Sequence, residues 1–239
     1  AQPVAPGAGP VVLAAGWGGV WLHEAVGHLL EADVLAGSPL AGRLGTRVAI
    51  PDVTLVDDPT HPDGRATYAF DDEGVPATRT TLIDGGVLRA ALTDRRHASS
   101  TPSTGNGRRQ DYRHRPFPRM SNLLLLGGTA SPEDLLAGVQ EGLYVTAVGH
   151  GVVRPGIGFA VDVLDGFRIE RGRLGAPVAG VRLIGSGPGM LAVLDGIGTD
   201  FRLDPARGVC EKQGQVVPVS VGMPAVRVRA MQAVPVDAE

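Results

Sequence analysis

Residues 80–92, TTLIDGGVLRAAL, decide the class of fold. Two runs of β-branched and apolar residues flank Asp84, Gly85 and Gly86, which tolerate the positive φ that a tight turn demands. The segment predicts a β-hairpin with paired strands. Upstream the same pattern repeats in RVAI (47–50), VTLV (53–56) and ATYAF (66–70), separated by DDP, HPDG and DDEG turn clusters. Downstream, from Tyr144 to Val228, short strands alternate with glycine turns, including a second hairpin around Glu170 to Arg173. With 35 Gly and 19 Pro but only 20% charged residues, composition also favours turns and short strands over long helices. The expectation is an α+β, β-rich chain of mostly antiparallel sheets.

Helices interrupt this pattern in three places. WGGVWLHEAVGHLLEADVL (17–35) is rich in helix formers after its Gly pair and is stopped by Gly37 and Pro39. Ser131-Pro132-Glu133-Asp134 has an N-cap, a proline at the first helical position and acidic residues at the positive end of the dipole, so a helix to about Leu143 is expected. A short third helix is placed near Met190 to Leu194, after the Gly-rich GSGPGM segment. No lysine follows that segment and no strand-turn-helix fingerprint surrounds it, so its glycines are read as sites of close backbone approach rather than as a phosphate loop. Residues 101–119, TPSTGNGRRQDYRHRPFPR, are read as a long functional loop. No fixed-period repeat appears. The chain is divided into a flexible lead-in at 1–10 and a single domain at 11–239.

A net charge of −3 provides no global basic field, which excludes bulk nucleic-acid binding. The single cysteine cannot form an internal disulfide, so it acts as a thiol or a ligand if it acts at all. No apolar run approaches the roughly 20 residues of a membrane span, and no charged n-region precedes an h-region. A cytoplasmic protein with no membrane contact is the simplest fit.

His23-Glu24-Ala25-Val26-Gly27-His28 sets two imidazoles beside a carboxylate on the first helix, the ingredients of a metallopeptidase. The spacing is awkward. Five steps of about 100° leave the two rings about 140° apart on an ideal helix. A π-type bulge, or a distortion at Gly27, would return them to one side. Two histidines that merely flank a Glu are the competing explanation, and for Cys210 the alternatives are an inert buried thiol or a nucleophile.

Further segments resolve the choice. HEAVGHLLEAD (23–33), DDEG (71–74), LIDGGVL (82–88), TPSTGNGRR (101–109), PFPRMSN (116–122), IGSG (184–187) and GVCEKQGQVVPVSVGMP (208–224) resemble, in order, the signature segments of the TldD/PmbA metallopeptidase family. The resemblance implies a zinc ion held by His23, His28 and Cys210, with Glu24 activating the water on the metal to hydrolyse unfolded or flexible peptides. It also implies a zinc-dependent endopeptidase that works with a related subunit as a heterodimer, or as a homodimer. Glu31 matches an acidic position of the motif and is either an acceptor that orients a ligand imidazole or a solvated helix residue. His114 is either a donor to the oxyanion or a structural hydrogen-bonding group. The arginines at 108, 109, 113, 115 and 119 are assigned to salt bridges with the Asp-rich turns or to contacts with a partner subunit. Full-length family members carry a further N-terminal domain, so the resemblance is to the C-terminal catalytic region of the active subunit. The rival is a noncatalytic binding or regulatory subunit, because family members have been described as modulators of DNA gyrase. A structural zinc closed by Glu31 as fourth ligand is the remaining alternative.

Overall fold

The computed structural model describes residues 5–98, 102–154, 158–205 and 208–236. Five strands close into a small barrel. Gly7–Leu13 pairs in parallel with Glu141–Arg154 and antiparallel with Val226–Pro235. Gly158–Glu170 pairs with Glu141–Arg154, and Val181–Ser186 joins Gly158–Glu170 to Val226–Pro235, which completes the ring. Strands Arg173–Pro177 and Leu194–Ile197 extend it. A second sheet runs in the order Arg202–Leu203, Ser220–Met223, Asn122–Leu125, Leu55–Asp57, Thr80–Asp84 and Val87–Leu88. Most pairings are antiparallel, as the turn-rich sequence implies. The exceptions here are Ser220–Met223 with Asn122–Leu125 and the barrel pair already given.

The first strand begins inside the stretch read as a lead-in. Gly7 to Pro10 belong to it, and Pro10, which has no N–H, falls where the register with Val226–Pro235 shifts between Gly9 and Val11. Both faces of this strand are covered. Val11 and Leu13 join the main core, whereas Val12 packs with Leu135 and Val139, on and just after the helix Pro132–Ala137.

Helix α1 (Gly19–Ala25) lies between the barrel and the second sheet, touching Glu141–Arg154, Gly158–Glu170 and Ser220–Met223. Trp21, Leu22 and Ala25 from α1 share one continuous core with Leu13, Val161 and Leu183 of the barrel and with Leu55, Leu82 and Ile83 of the sheet. The 17–35 segment is not one helix. After α1 comes a 3₁₀ turn at Gly27–Leu30 and then a short α2 (Ala32–Leu35). Helix α3 (Pro132–Ala137) starts on Ser131, whose Oγ accepts from the Asp134 N–H at 3.0 Å. It ends well before Leu143, because the Gly172 and Arg171 N–H groups take the Val139 and Gln140 carbonyls and the chain enters the barrel at Glu141. Helix α4 (Gly187–Val193) begins where a Cβ on Gly187 would lie 2.2 Å from the Ala25 carbonyl oxygen, so the GSGPGM glycine allows α4 to abut the end of α1.

The 101–119 segment contains a two-stranded pairing, Gly107–Arg108 with Phe117–Pro118. Backbone N–H groups, not guanidinium groups, bind it to the acidic turn: Gly107 donates to Asp71 Oδ2 at 2.9 Å and Arg109 donates to Asp72 Oδ2 at 2.8 Å. Among the described residues no helix is long and apolar enough to cross a membrane.

In the hairpin Asp84–Val87, Gly85 (φ 53°) and Gly86 (φ 78°) both take the left-handed conformation. Their surroundings differ. A Cβ on Gly86 would lie 2.4 Å from the Ala49 carbonyl oxygen and 2.5 Å from that of Ile50, whereas one on Gly85 meets nothing nearer than 3.7 Å. Gly85→Ala should therefore cost only the conformational penalty, roughly 1–2 kcal/mol, and Gly86→Ala distinctly more. Equilibrium urea unfolding of the two variants measures the difference; equal losses would contradict it.

Candidate metal centre

His23 is in the last turn of α1, and Val26 (φ −128°) breaks the helix before His28 enters the 3₁₀ turn. Of the two distortions expected, the π-type bulge is not found, since the chain tightens rather than widens; the helix instead gives way to a 3₁₀ turn that begins at Gly27. The break also explains Gly27: a Cβ there would lie 2.2 Å from Met120 Sδ and 2.9 Å from Leu123 Cδ2, so glycine is needed for close packing and not for a special φ. The two imidazole rings end with centroids 4.7 Å apart at an interplanar angle of 84°.

Cys210 arrives from far along the chain on the strand Val209–Lys212, which pairs with Gln215–Pro218 through a turn in which Gln213 and Gly214 both take positive φ. Its Sγ lies 3.6 Å from His28 Nε2. The ligand atoms of His23, His28 and Cys210 all fall within 4.8 Å of one another, and all three side chains are buried. Two arginines from the 101–119 segment hold this hairpin in place. The fully buried Arg119 donates to the Cys210 carbonyl at 2.6 Å, and Arg108 bridges the Met120 carbonyl at 2.5 Å and the Pro218 carbonyl at 2.8 Å. Burial lowers the Arg108 pKa, partly countered by Tyr68 and Asp57. The sequence carries a hint of this, an arginine within apolar PFPRMSN, but the carbonyls it meets are some 90 residues away.

The acidic residues divide. Glu31 is fully buried and accepts from His28 Nδ1 at 2.9 Å, which leaves Nε2 facing Cys210. Lys212 Nζ and the Met120 N–H also donate to Glu31, at 2.9 and 3.3 Å. Glu24 is half-buried and shares with His23 a cleft of about 50 Å³ lined by Val20, Val209, Val219 and Val221. Gly151 of the barrel packs directly over it, where a Cβ would lie 2.6 Å from Glu24 Cγ. Sequence reading missed Gly151, because its proximity depends on barrel closure. His114 lies outside the cluster, its Nδ1 bonded to Asp111 at 2.8 Å within its own loop.

Burial disfavours charge throughout this pocket, yet the mutual interactions prevail. Burial would raise the Cys210 thiol, but the neighbouring imidazoles of His23 and His28 hold it at about 5. Burial would likewise raise Glu31, but His28 and Lys212 bring it to about 2. His28, which burial alone would lower, is raised well above its ordinary value by Glu31 and Cys210. Neither ring nitrogen of His23 has a hydrogen-bond partner, a costly state for a buried imidazole. Two imidazoles and a thiolate, one imidazole with both nitrogens unpaired, suit a zinc ion.

A family model described as the PmbA/TldA metallopeptidase C-terminal domain matches residues 6–234. The chain belongs to the PmbA/TldA metallopeptidase family. A metalloprotease TldD homolog from Haemophilus influenzae is 42% identical over 92% of this chain and 46% of its own length. A zinc metalloprotease TldD homolog from Saccharolobus solfataricus is 34% identical over 93% and 51%. The chain thus spans about half the length of the curated relatives it matches. A solved structure described as a proposed modulator of a DNA gyrase, from Thermotoga maritima, superposes with a TM-score of 0.77 at 26% identity over 98% of this chain and 51% of its own. Thermococcus kodakarensis TldE shares the fold, with a TM-score of 0.76 at 22% identity over 97% and 51%.

The charge pattern of this PmbA/TldA pocket is testable without metal. Thiolate absorbance in the metal-free protein should persist down to a midpoint near pH 5, and His23→Ala should move that midpoint upward. An unshifted midpoint would contradict the coupling. Glu31 is depressed on folding, so its contribution to stability is full above about 4.5 and is lost as pH falls toward about 2. Acid unfolding should show that dependence in the wild type and lose it in Glu31→Gln.

Proposed function

We propose that this chain is the catalytic portion of a zinc-dependent endopeptidase acting on unfolded or flexible peptides. The observation that carries the reading is the buried convergence of His23, His28 and Cys210, with both ring nitrogens of His23 unpaired. These three side chains would hold the metal. Glu31 is taken up by His28, Lys212 and the Met120 N–H, which argues against its closing the site as a fourth ligand. Zinc, when bound, supplies Lewis acidity that polarises a peptide carbonyl and acidifies a water.

The remaining steps belong to the protein. Glu24, at the cleft beside His23, takes the proton as water attacks the scissile carbonyl and returns it to the departing amine. Glu31 keeps the His28 proton on Nδ1, so that Nε2 is the nitrogen offered to the metal. Gly151 leaves room for the Glu24 side chain to adopt its working position. Four valines, together with Asp204 and Ser220, line the cleft around Glu24. A pairing with a related subunit or with itself fits the fold likeness to TldE.

Elemental analysis and peptide-cleavage assays test the reading together. The wild type should carry zinc, and Cys210→Ser should lose it. Glu24→Ala should keep the metal while cleavage falls by roughly 100- to 10,000-fold. Gly151→Ala, which presses on Glu24, should reduce cleavage with zinc retained. A wild type that takes up no metal when zinc is supplied would overturn the proposal.

A further inference from the structure

Lys212 is the only lysine in a chain whose other permanently charged basic side chains are all arginine, and its side chain is only 10% exposed. Its ammonium sits against three oxygens: Glu31 Oε2 at 2.9 Å, Asp33 Oδ1 at 2.7 Å and the Pro118 carbonyl at 2.9 Å. An ammonium donates three hydrogen bonds from one point, which this tripod requires. A guanidinium is planar and directs its donors into a fork, so arginine cannot serve three acceptors gathered around one centre.

The strand places this charge with purpose. Side chains two apart on a strand leave by the same face, so Cys210 and Lys212 both project toward the motif segment. Cys210 Sγ meets Nε2 of His28, and Lys212 meets the carboxylate that holds Nδ1 of the same ring. One strand thus addresses both nitrogens of His28, one directly and one through Glu31. Asp33 and Pro118 give Lys212 two further anchors, on α2 and on the 117–118 strand, so one ammonium ties the side-chain face of the Cys210 strand to the carboxylate that holds the His28 ring.

We propose that Lys212 is a positioning residue of the metal site, locking Glu31 so that His28 and Cys210 keep the mutual geometry a bound zinc needs. The inference rests on the zinc reading above and adds a residue to it. The test is zinc affinity by chelator competition, which does not depend on catalysis. Lys212→Met should weaken zinc binding by roughly 10- to 100-fold, the usual effect of removing a group that orients a ligand. Lys212→Arg keeps the charge and should weaken binding as well, because it cannot form the tripod. In a Glu31→Gln background, Lys212→Met should add little, since its effect passes through Glu31. Circular dichroism of the metal-free variants reports folding, and if Lys212→Met does not fold, Lys212→Arg alone decides. Wild-type affinity in Lys212→Arg, or penalties of Lys212→Met and Glu31→Gln that simply multiply, would overturn the inference. A wild type with no zinc affinity would instead overturn the proposed function, and this inference with it.

Discussion

A regular helix cannot turn His23 and His28 toward one point, and the site depends on how the chain escapes that period. The helix ends at Val26, winds more tightly through Gly27–Leu30, and restarts at Ala32. Gly27 permits the break by leaving space for Met120 and Leu123. Met120 also donates its N–H to Glu31, so the residue that packs against the break helps hold the carboxylate that orients His28. Helix geometry, core packing and ligand orientation meet within a few residues.

The surrounding architecture keeps that distortion rigid. α1 is clamped between a closed barrel and a six-stranded sheet that share one core, so the motif rests on two scaffolds. The Cys210 hairpin is small and would be mobile alone. Arg119 and Arg108 fasten its carbonyls, and Lys212 fastens its side-chain face. The arginines of the 101–119 segment therefore divide by burial. Arg108 and Arg119 serve as internal donors, while Arg113 pairs with Asp111 and Arg115 covers the Phe117 ring within their own loop.

Charges in this pocket are interdependent. A thiolate, an imidazolium and a carboxylate balance one another where burial would suppress each alone. A zinc ion binding here would displace a proton from His28, because imidazole ligates in its neutral form, whereas the Cys210 thiolate is already formed.

Much of this was legible in the sequence, because its signals are local. Turn glycines announced the hairpins at 84–87 and 170–173, Ser131 and Pro132 announced α3, and the HEAVGH spacing announced that the helix must distort. The turn-rich, weakly charged composition pointed to a β-rich α+β fold. Tertiary structure alone decided the rest. Gly7–Pro10 reads as a lead-in because nothing local marks it as a strand; its partners lie at the other end of the chain. The stop of α3 before Leu143 depends on the 170–173 hairpin capturing the Val139 and Gln140 carbonyls. Whether Glu31 faced solvent or His28 depended on packing, and Lys212, Arg119 and Gly151 meet the motif only through contacts that span most of the chain. A sequence displays its short-range preferences directly, but long-range neighbours are chosen by the closing of the barrel and the shared core.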